Sequence, residues 1–587
     1  MKKFFKYALA CAFVVPVLSS CEGMLDEEKN FNFGKPTTAE MLKNEENVTN
    51  LVGQAYADLR FMHDHWGYWG VNTLTSDEGL CPIRKGGDWN DGGYWKYLNT
   101  HEWNAYGEAF KNIWNCTVSG SVLCNNLLQT LYANVDNMSP ELYGMYVGEM
   151  EVLRSYYYYL LFDSFGRIPY MEDYSDRNEK LLELWVTWAH LVACLEKNAP
   201  NMAIVTDDNR SLYLGRCTQG VAYALLAKLY LNAESYGCTP ENVMAAKRTC
   251  TVQNGKEGSL LMKEAGVTIA NTSDFYTNAV RCLNKVINSN SYQIETNYFN
   301  NFLLENGNSK ENIFTIVEDG TTNNERDQYS CKNKLRISYL SLHYKFQTRF
   351  NMKLDCWNGF VARPQFMEMY DTCDVRGAGK SEGTLTNKRF AWFLGPLCTE
   401  KGDTIADNDG TPIVIVPEIE SLDAANRIEG ARMYKYEIDK SGTYTYMEND
   451  FVLMRYADVI LMKKEAILRG GQDDMPGIEN DAVDAIKKRS FAYKKDPVAA
   501  FDAAYPDAFT SLGTGLKDGI LAERGRELTW ENQRRRDLIR FGQFEKIQFV
   551  KNQSETRRWF PIPYTVLQKS VQDPTTGKKL WTQNPGY

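Results

Sequence analysis

The chain alternates between stretches with a clear helical period and stretches with none. Apolar residues at Leu51, Ala55, Leu59 and Met62 recur every three to four positions and predict a helix over Asn50–Met62. The period returns over Trp103–Tyr132, carried by Phe110, Ile113, Trp114, Val118 and Leu123. After the stop at Ser139-Pro140 it runs again over Glu141–Phe165. Further helical stretches are Leu181–Asn198, Cys217–Ser235, Phe275–Asn288, Tyr456–Leu468, Asp481–Phe491 and Gly519–Phe544. Two intervals break the pattern. Residues 66–102 are rich in Gly, Asp and Trp, with turn signals at Gly86-Gly87 and Gly92-Gly93. Residues 291–450 hold short apolar runs such as Ile313-Phe314-Thr315-Ile316-Val317 between Gly, Asn and Asp, the pattern of loops and a few short strands.

Helices of this length following one another predict a mainly α fold. Ala222, Ala224 and Ala227 are small residues that let neighbouring helices of a solenoid approach closely. No clean repeat of about 34 residues is present, so the expected array is a degenerate TPR-like one. The division is a helical region 38–290 that includes the aromatic loop 66–102, an irregular region 291–450, and a second helical region 451–587.

The first residues read as an address. Lys2, Lys3 and Lys6 precede an apolar run, Ala8–Leu18, that is too short to span a hydrocarbon core of about 30 Å. Leu18-Ser19-Ser20-Cys21 resembles the bacterial lipobox, which implies a signal peptide over 1–20 and a lipid-carrying Cys21 as mature N-terminus. The alternative is an ordinary secretory signal with an incidental cysteine. Residues 21–37 form an acidic tether (Glu22, Asp26, Glu27, Glu28) that resembles the surface-export signal of bacterial lipoproteins, the alternative being a plain soluble linker. Lipid chains hold an otherwise soluble protein on a membrane without a transmembrane helix.

Composition narrows the function classes. The net charge is −9, and removing the three leader lysines takes it to −12, so the basic face of a phosphate-tracking nucleic-acid binder is missing. Five His in 587 residues disfavour an imidazole-built metal or triad enzyme. Of the 14 Cys none shows CxxC spacing, and mostly buried free thiols are expected. HExxH and P-loop patterns are absent, and no cofactor is expected. The adjacent carboxylates Asp77 and Glu78 cannot readily adopt the opposed geometry, about 5–9 Å apart, of a glycosidase pair. His63-Asp64-His65, a possible metal cluster, reads as a solvated helix exit. The run from Glu523 to Arg540 interleaves Arg with Glu and Asp at helical spacings, which predicts an ion-paired helix surface.

Several motifs in order resemble the SusD/RagB family of nutrient-uptake lipoproteins of the bacterial outer membrane. They begin with Gln54-Ala55-Tyr56-Ala57-Asp58-Leu59-Arg60 and Ser76-Asp77-Glu78. Glu151-Val152-Leu153-Arg154-Ser155-Tyr156-Tyr157-Tyr158 follows, running to Phe165-Gly166-Arg167-Ile168-Pro169, then Gly215-Arg216-Cys217-Thr218 with Ala224–Leu231. The second half adds Glu311-Asn312-Ile313-Phe314, Met454–Val459, Glu523–Leu528, Phe560-Pro561-Ile562-Pro563 and the ending Gln583-Asn584-Pro585-Gly586-Tyr587. Two departures, Trp530–Arg534 and Trp357–Phe360, fall where local packing varies. The resemblance implies a non-catalytic protein that captures an oligosaccharide and passes it to a SusC-like TonB-dependent transporter, closing over the barrel like a lid. It also implies an aromatic glycan platform built from loops.

The aromatics point to the same place. Six of the 13 Trp lie between positions 66 and 114, with Tyr68, Tyr94 and Tyr97 among them. Flat rings on a Gly-rich loop can stack on the C–H face of a pyranose while Asp, Asn and Arg take its hydroxyls. The candidate ligand-binding residues are Trp66, Trp69, Arg84, Trp89, Asn90, Trp95 and Trp357, beside Asp88 and Asp91, with Trp392 held in reserve. Trp103 and Trp114 are assigned to helix core. The rival readings are a surface glycoside hydrolase and a peptide- or glycopeptide-capturing member of the same family.

Overall fold

The computed structural model describes residues 38–172, 180–249, 258–318, 336–352, 356–379, 389–399, 401–441, 447–570, 572 and 576–587. The expected signal peptide, Cys21 and the acidic tether lie outside the described residues. Side chains, among them those of Asn44, Ser139 and Asp496, cap the starts of some helices. Ser139, for example, accepts from the Leu142 amide at 3.2 Å ahead of a helix that opens on Pro140.

The longer helices are α1 (Glu45–Gly53), α2 (Tyr68–Thr75), α3 (Glu108–Tyr132), α4 (Pro140–Phe165), α5 (Leu184–Asn198) and α6 (Gln219–Leu231). They continue with α7 (Ser273–Asn288), α8 (Tyr456–Leu468), α9 (Asn480–Ser490), α10 (Pro497–Ala504), α11 (Gly519–Glu527) and α12 (Arg534–Arg540). In the order α3 to α8 each helix packs on the next, giving the TPR-like array expected. Close approach is built in, since a β-carbon at Gly120 of α3 would overlap the Tyr157 ring of α4. Tyr156 to Tyr159 are all buried, and the Tyr157 hydroxyl donates to the Ala55 carbonyl at 2.7 Å.

Between α7 and α8 the chain leaves the array and returns. Strand β1 (Asn312–Ile316) near the start of that excursion pairs antiparallel with a later strand, β6 (Phe451–Arg455), at its end, so the irregular region is clasped at its base. Within it lie two further two-stranded pairs, β2 (Trp392–Phe393) with β5 (Arg432–Met433) and β3 (Gly395–Pro396) with β4 (Val414–Ile415). The C-terminus folds back on the array. The Asn584 amide donates to the Phe165 and Phe560 carbonyls at 2.7 and 2.9 Å, and Tyr587 takes the Trp103 indole N–H at 2.7 Å.

Three expectations are corrected here. The aperiodic segment 66–102 contains α2, whose every residue is buried, so no polar face exists to mark a period. The stretch Gly519–Phe544 is not one helix, because Trp530 and Asn532 adopt positive φ (58° and 65°) and split it into α11 and α12. The charged run is not a helix surface. Glu527, fully buried, accepts from Arg455, Arg489 and Arg376 at 2.9, 2.6 and 2.9 Å, and Glu311 accepts from Arg455 and Arg489. Burial pushes the Glu527 carboxyl up, but the guanidiniums of Arg489, Arg455 and Arg376 outweigh it and hold the group below the ordinary carboxylate range. The ten described cysteines are free thiols, most of them buried. No helix among the described residues is long and apolar enough to cross a membrane.

Candidate functional site

Four separate pieces of chain meet at one aromatic cluster. The segment after α1 delivers His65 and Trp66, residues 80–95, which end in the first turn of a short helix Tyr94–Asn99, deliver Trp89, Tyr94 and Trp95, and residues 356–360 deliver Trp357 and Phe360. Residues 422–427 close the rim. Backbone bonds fasten these pieces: Leu80 and Val361 exchange N–H···O bonds at 2.8 Å, and Ile83 bonds to Leu422 and Ala425 at 2.8 and 2.9 Å.

Trp95 is the floor of the cluster and has no exposed surface. Around it stand Trp66 (4.5 Å between ring centroids), Tyr94 (4.9 Å), Trp89 (5.7 Å) and His65 (5.8 Å). Trp357 lies 5.1 Å from Trp89 and extends the row. Trp66, Trp89, Tyr94 and Trp357 are each half-buried. One carboxylate orients two indoles: Asp91 accepts from Trp89 Nε1 and from Trp95 Nε1, each at 2.9 Å. The Trp89 ring rests against Gly359, where a β-carbon would overlap it.

Trp357 is positioned by the turn that follows it. Asn358 takes the left-handed conformation (φ 55°), which Asn tolerates, and donates to Asp88 Oδ2 and the Arg427 carbonyl at 3.1 Å each. Arg84 donates from Nε to the Asn358 carbonyl at 2.7 Å and from Nη1 to the Asn426 carbonyl at 2.6 Å. Arg84 therefore holds the turn from below and is itself buried. Burial lowers its pKa to about 10, which leaves it charged at neutral pH.

The rim is polar and mostly cationic. Arg427 pairs with Asp88 at 3.2 Å and lies over the Tyr344 ring at 5.4 Å, with Lys345 over the same ring at 5.6 Å. Tyr344 in turn donates its hydroxyl to Asp407. His343 beside it is pushed down to about 3 by burial and then by Arg432, Arg84, Arg427 and Lys345, so it is neutral. Stacking rings beside guanidinium, ammonium and carboxylate groups suit a ligand with flat apolar faces and a hydroxyl-bearing edge.

The expected residues divide. Trp66, Trp89, Trp95 and Trp357 come together, with Trp95 enclosed as the base. Trp69 does not join them: it is fully buried, stacked on Phe360 at 5.4 Å, and its indole donates to the Trp530 carbonyl at 3.2 Å. Trp392 is buried against Trp530. Asn90 accepts from the Gly93 amide at 2.9 Å and shapes the loop. Trp103 and Trp114 are buried, although Trp103 precedes α3 rather than lying on it. His65, Phe360, Tyr344 and Arg427 carry no local signal, since long-range packing alone brings them in.

The other constellations are structural. His63, Asp64 and His65 are buried, which overturns the expected solvated exit, and His63 Nε2 meets Glu318 at 2.9 Å. Asp77 accepts two bonds from Arg534 at 2.8 and 2.7 Å. Glu78 accepts the Trp530 amide at 2.9 Å. No group of three His, Cys, Asp or Glu among the described residues is placed to hold a metal ion.

The family model described as SusD family matches residues 272–587, and one described as "Starch-binding associating with outer membrane" matches residues 83–231. No curated protein matches the sequence. Among solved structures, a SusD superfamily protein from Parabacteroides distasonis is 18% identical with a TM-score of 0.63, covering 92% of this chain and 99% of that one. Surface glycan-binding protein A from Bacteroides fluxus is 19% identical (TM-score 0.62; 93% and 100% covered). Surface glycan-binding protein A from Bacteroides thetaiotaomicron, in complex with laminarihexaose, is 18% identical (TM-score 0.59; 92% and 99% covered). With more than half of its length matched by the family model and its fold shared along nearly the whole chain, the protein belongs to the SusD family.

Proposed function

We propose that this protein is a non-catalytic surface lipoprotein that binds an extracellular oligosaccharide and delivers it to a SusC-like TonB-dependent transporter of the outer membrane. The observation that carries the reading is the row of half-buried rings Trp66, Trp89 and Trp357 over the Trp95 floor, with Asp88, Asp91 and Arg427 at its edge. Membership of the SusD family and a relative solved with laminarihexaose support the ligand class. A family description that names starch and the outer membrane supports the location. The engagement of Asp77 and Glu78 in buried contacts supports a binding role over a hydrolytic one.

Calorimetric titration of the soluble protein with laminarihexaose and maltohexaose tests the ligand class, with an assay for new reducing ends run alongside. Binding without new ends is expected. New reducing ends establish the hydrolase reading instead, and heat with neither sugar but with peptides establishes the peptide-capturing one. For the anchor, Cys21→Ala is expected to shift the protein from the membrane pellet to a soluble or unprocessed pool. Mature variant that stays in the pellet after a high-salt wash removes the lipobox from the account.

A further inference from the structure

A second aromatic site lies across the start of α3 from the first. On one side of this helix the Asn112 amide donates to the Trp66 carbonyl at 3.1 Å, which ties the helix to the cluster described above. On another side, one helical turn apart, Lys111 and Asn115 line a separate cleft of about 600 Å³. That volume falls within the range of about 300–1,000 Å³ typical of small-ligand clefts. The buried Trp114 lies at its base and the half-buried Trp581 at its side, 5.9 Å apart, and Thr565 and Lys569 also line it.

An exposed aromatic pair stands next to this cleft. Tyr106 and Tyr564, 73% and 40% exposed, pack ring to ring at 4.8 Å, and Tyr564 directly precedes Thr565 of the cleft. The pair is held in place, because the Tyr564 amide donates to the Ala105 carbonyl at 2.9 Å. Two adjoining rings kept in water by a fixed backbone, beside a Trp-lined cleft with amide, hydroxyl and ammonium groups, repeat the chemistry of the first cluster: flat apolar faces next to hydroxyl-binding groups.

We propose that the Trp114/Trp581 cleft and the Tyr106/Tyr564 pair form a second saccharide-binding site, so that a long glycan chain is held at two points. This rests on the glycan-binding reading above. Two modest contacts on one chain raise affinity for the polymer well beyond that for a short oligosaccharide.

The test compares laminarin and soluble starch with laminarihexaose and maltohexaose, using the soluble protein and its Tyr564→Ala, Lys569→Ala, Trp581→Ala and Trp89→Ala variants. Trp581→Ala removes a ring that packs on Trp114, so each melting temperature is recorded, and the exposed positions Tyr564 and Lys569 keep the test decisive if that variant is unstable. The cleft variants should bind polysaccharide at least about 5-fold more weakly while the hexaose affinity of the first site is retained, and Trp89→Ala should weaken binding of the hexaoses and the polysaccharides alike. Unchanged polysaccharide affinity in Tyr564→Ala and Lys569→Ala overturns the second site and leaves the first standing. A wild-type protein silent to all four glycans overturns both readings.

Discussion

Truncating Trp69 and truncating Trp89 should give opposite results, because the first ring is enclosed and the second keeps part of its surface in solvent. Trp69→Ala leaves a hole between Phe360 and Trp530, at a cost of about 3–5 kcal/mol, and should lower the melting temperature without changing glycan affinity per folded molecule. Trp89→Ala should weaken glycan binding about 5- to 30-fold, the scale of one stacking anchor worth about 1–2 kcal/mol, with a smaller thermal effect. One thermal scan and one titration on each variant separate the two. Gly359→Ala is a finer probe of the same surface. Its added methyl meets the Trp89 ring, so the ring must tilt and binding should fall although no ligand-contacting atom is removed. Normal affinity in Gly359→Ala would show that the Trp89 face is not part of the binding surface. Before folding, Trp69 and Trp89 look alike: both stand among glycines and aromatics in a segment without period. What separates them is Phe360 and Trp530, hundreds of residues away, and no local pattern carries that information.

The elements that were legible are those with an apolar stripe or with marked ends. α7, with one buried side, ends at Asn288 as its pattern predicts, α8 runs over Tyr456–Leu468 ahead of Gly470-Gly471, and α4 is bounded by Ser139-Pro140 and Gly166. The failures are helices of eight, nine and seven residues, buried almost throughout and too short for a period to show. α2 shows no stripe, and the α11–α12 run makes the expected i, i+3 pairs Glu523–Arg526 and Asp537–Arg540 but is buried, with further ion pairs reaching across to α8, α9 and β6. The turn between α11 and α12 also brings Trp530 to Glu78. That carboxyl is raised to about 8, chiefly by burial, with Asp77 adding to the shift against the Trp530 amide. The folded state then holds a proton that an unfolded Glu, near 4.3, gives up, so this group's contribution to stability falls as pH rises between roughly 4.5 and 8. Glu78→Gln keeps an oxygen acceptor for the Trp530 amide and cannot ionise. The melting temperature of this variant should decline less than that of the wild type between pH 5 and 8.5, and parallel curves would place the pH sensitivity elsewhere.

Over the whole molecule the opposite sign dominates in acid. Burial alone would raise Asp458 and Glu465, but Lys228 and Arg524 around the first, and Arg540 and Arg469 around the second, hold both at about 2. Their folded values lie below the unfolded ones of about 3.9 and 4.3, so the stability they contribute is present above about pH 4.5 and is lost as pH falls through 2. A steep drop in melting temperature below pH 4.5, blunted in Asp458→Asn at the expense of a lower starting value, is the expected record. The contacts that join the two ends of the chain have a consequence for the order of assembly. Trp69 meets Trp530 across a separation of 461 residues, Glu78 meets Trp530 across 452, and Trp103 meets Tyr587 across 484. A polypeptide threaded out N-terminus first carries Trp66, Trp89 and Trp95 long before their supports exist, and closing loops of that length comes late and slowly. In refolding, helical ellipticity should therefore recover ahead of the tryptophan emission change. The aromatic cluster should then be the last part of this molecule to become native, and a chain interrupted before Trp530 would hold most of the rings without the surface they make.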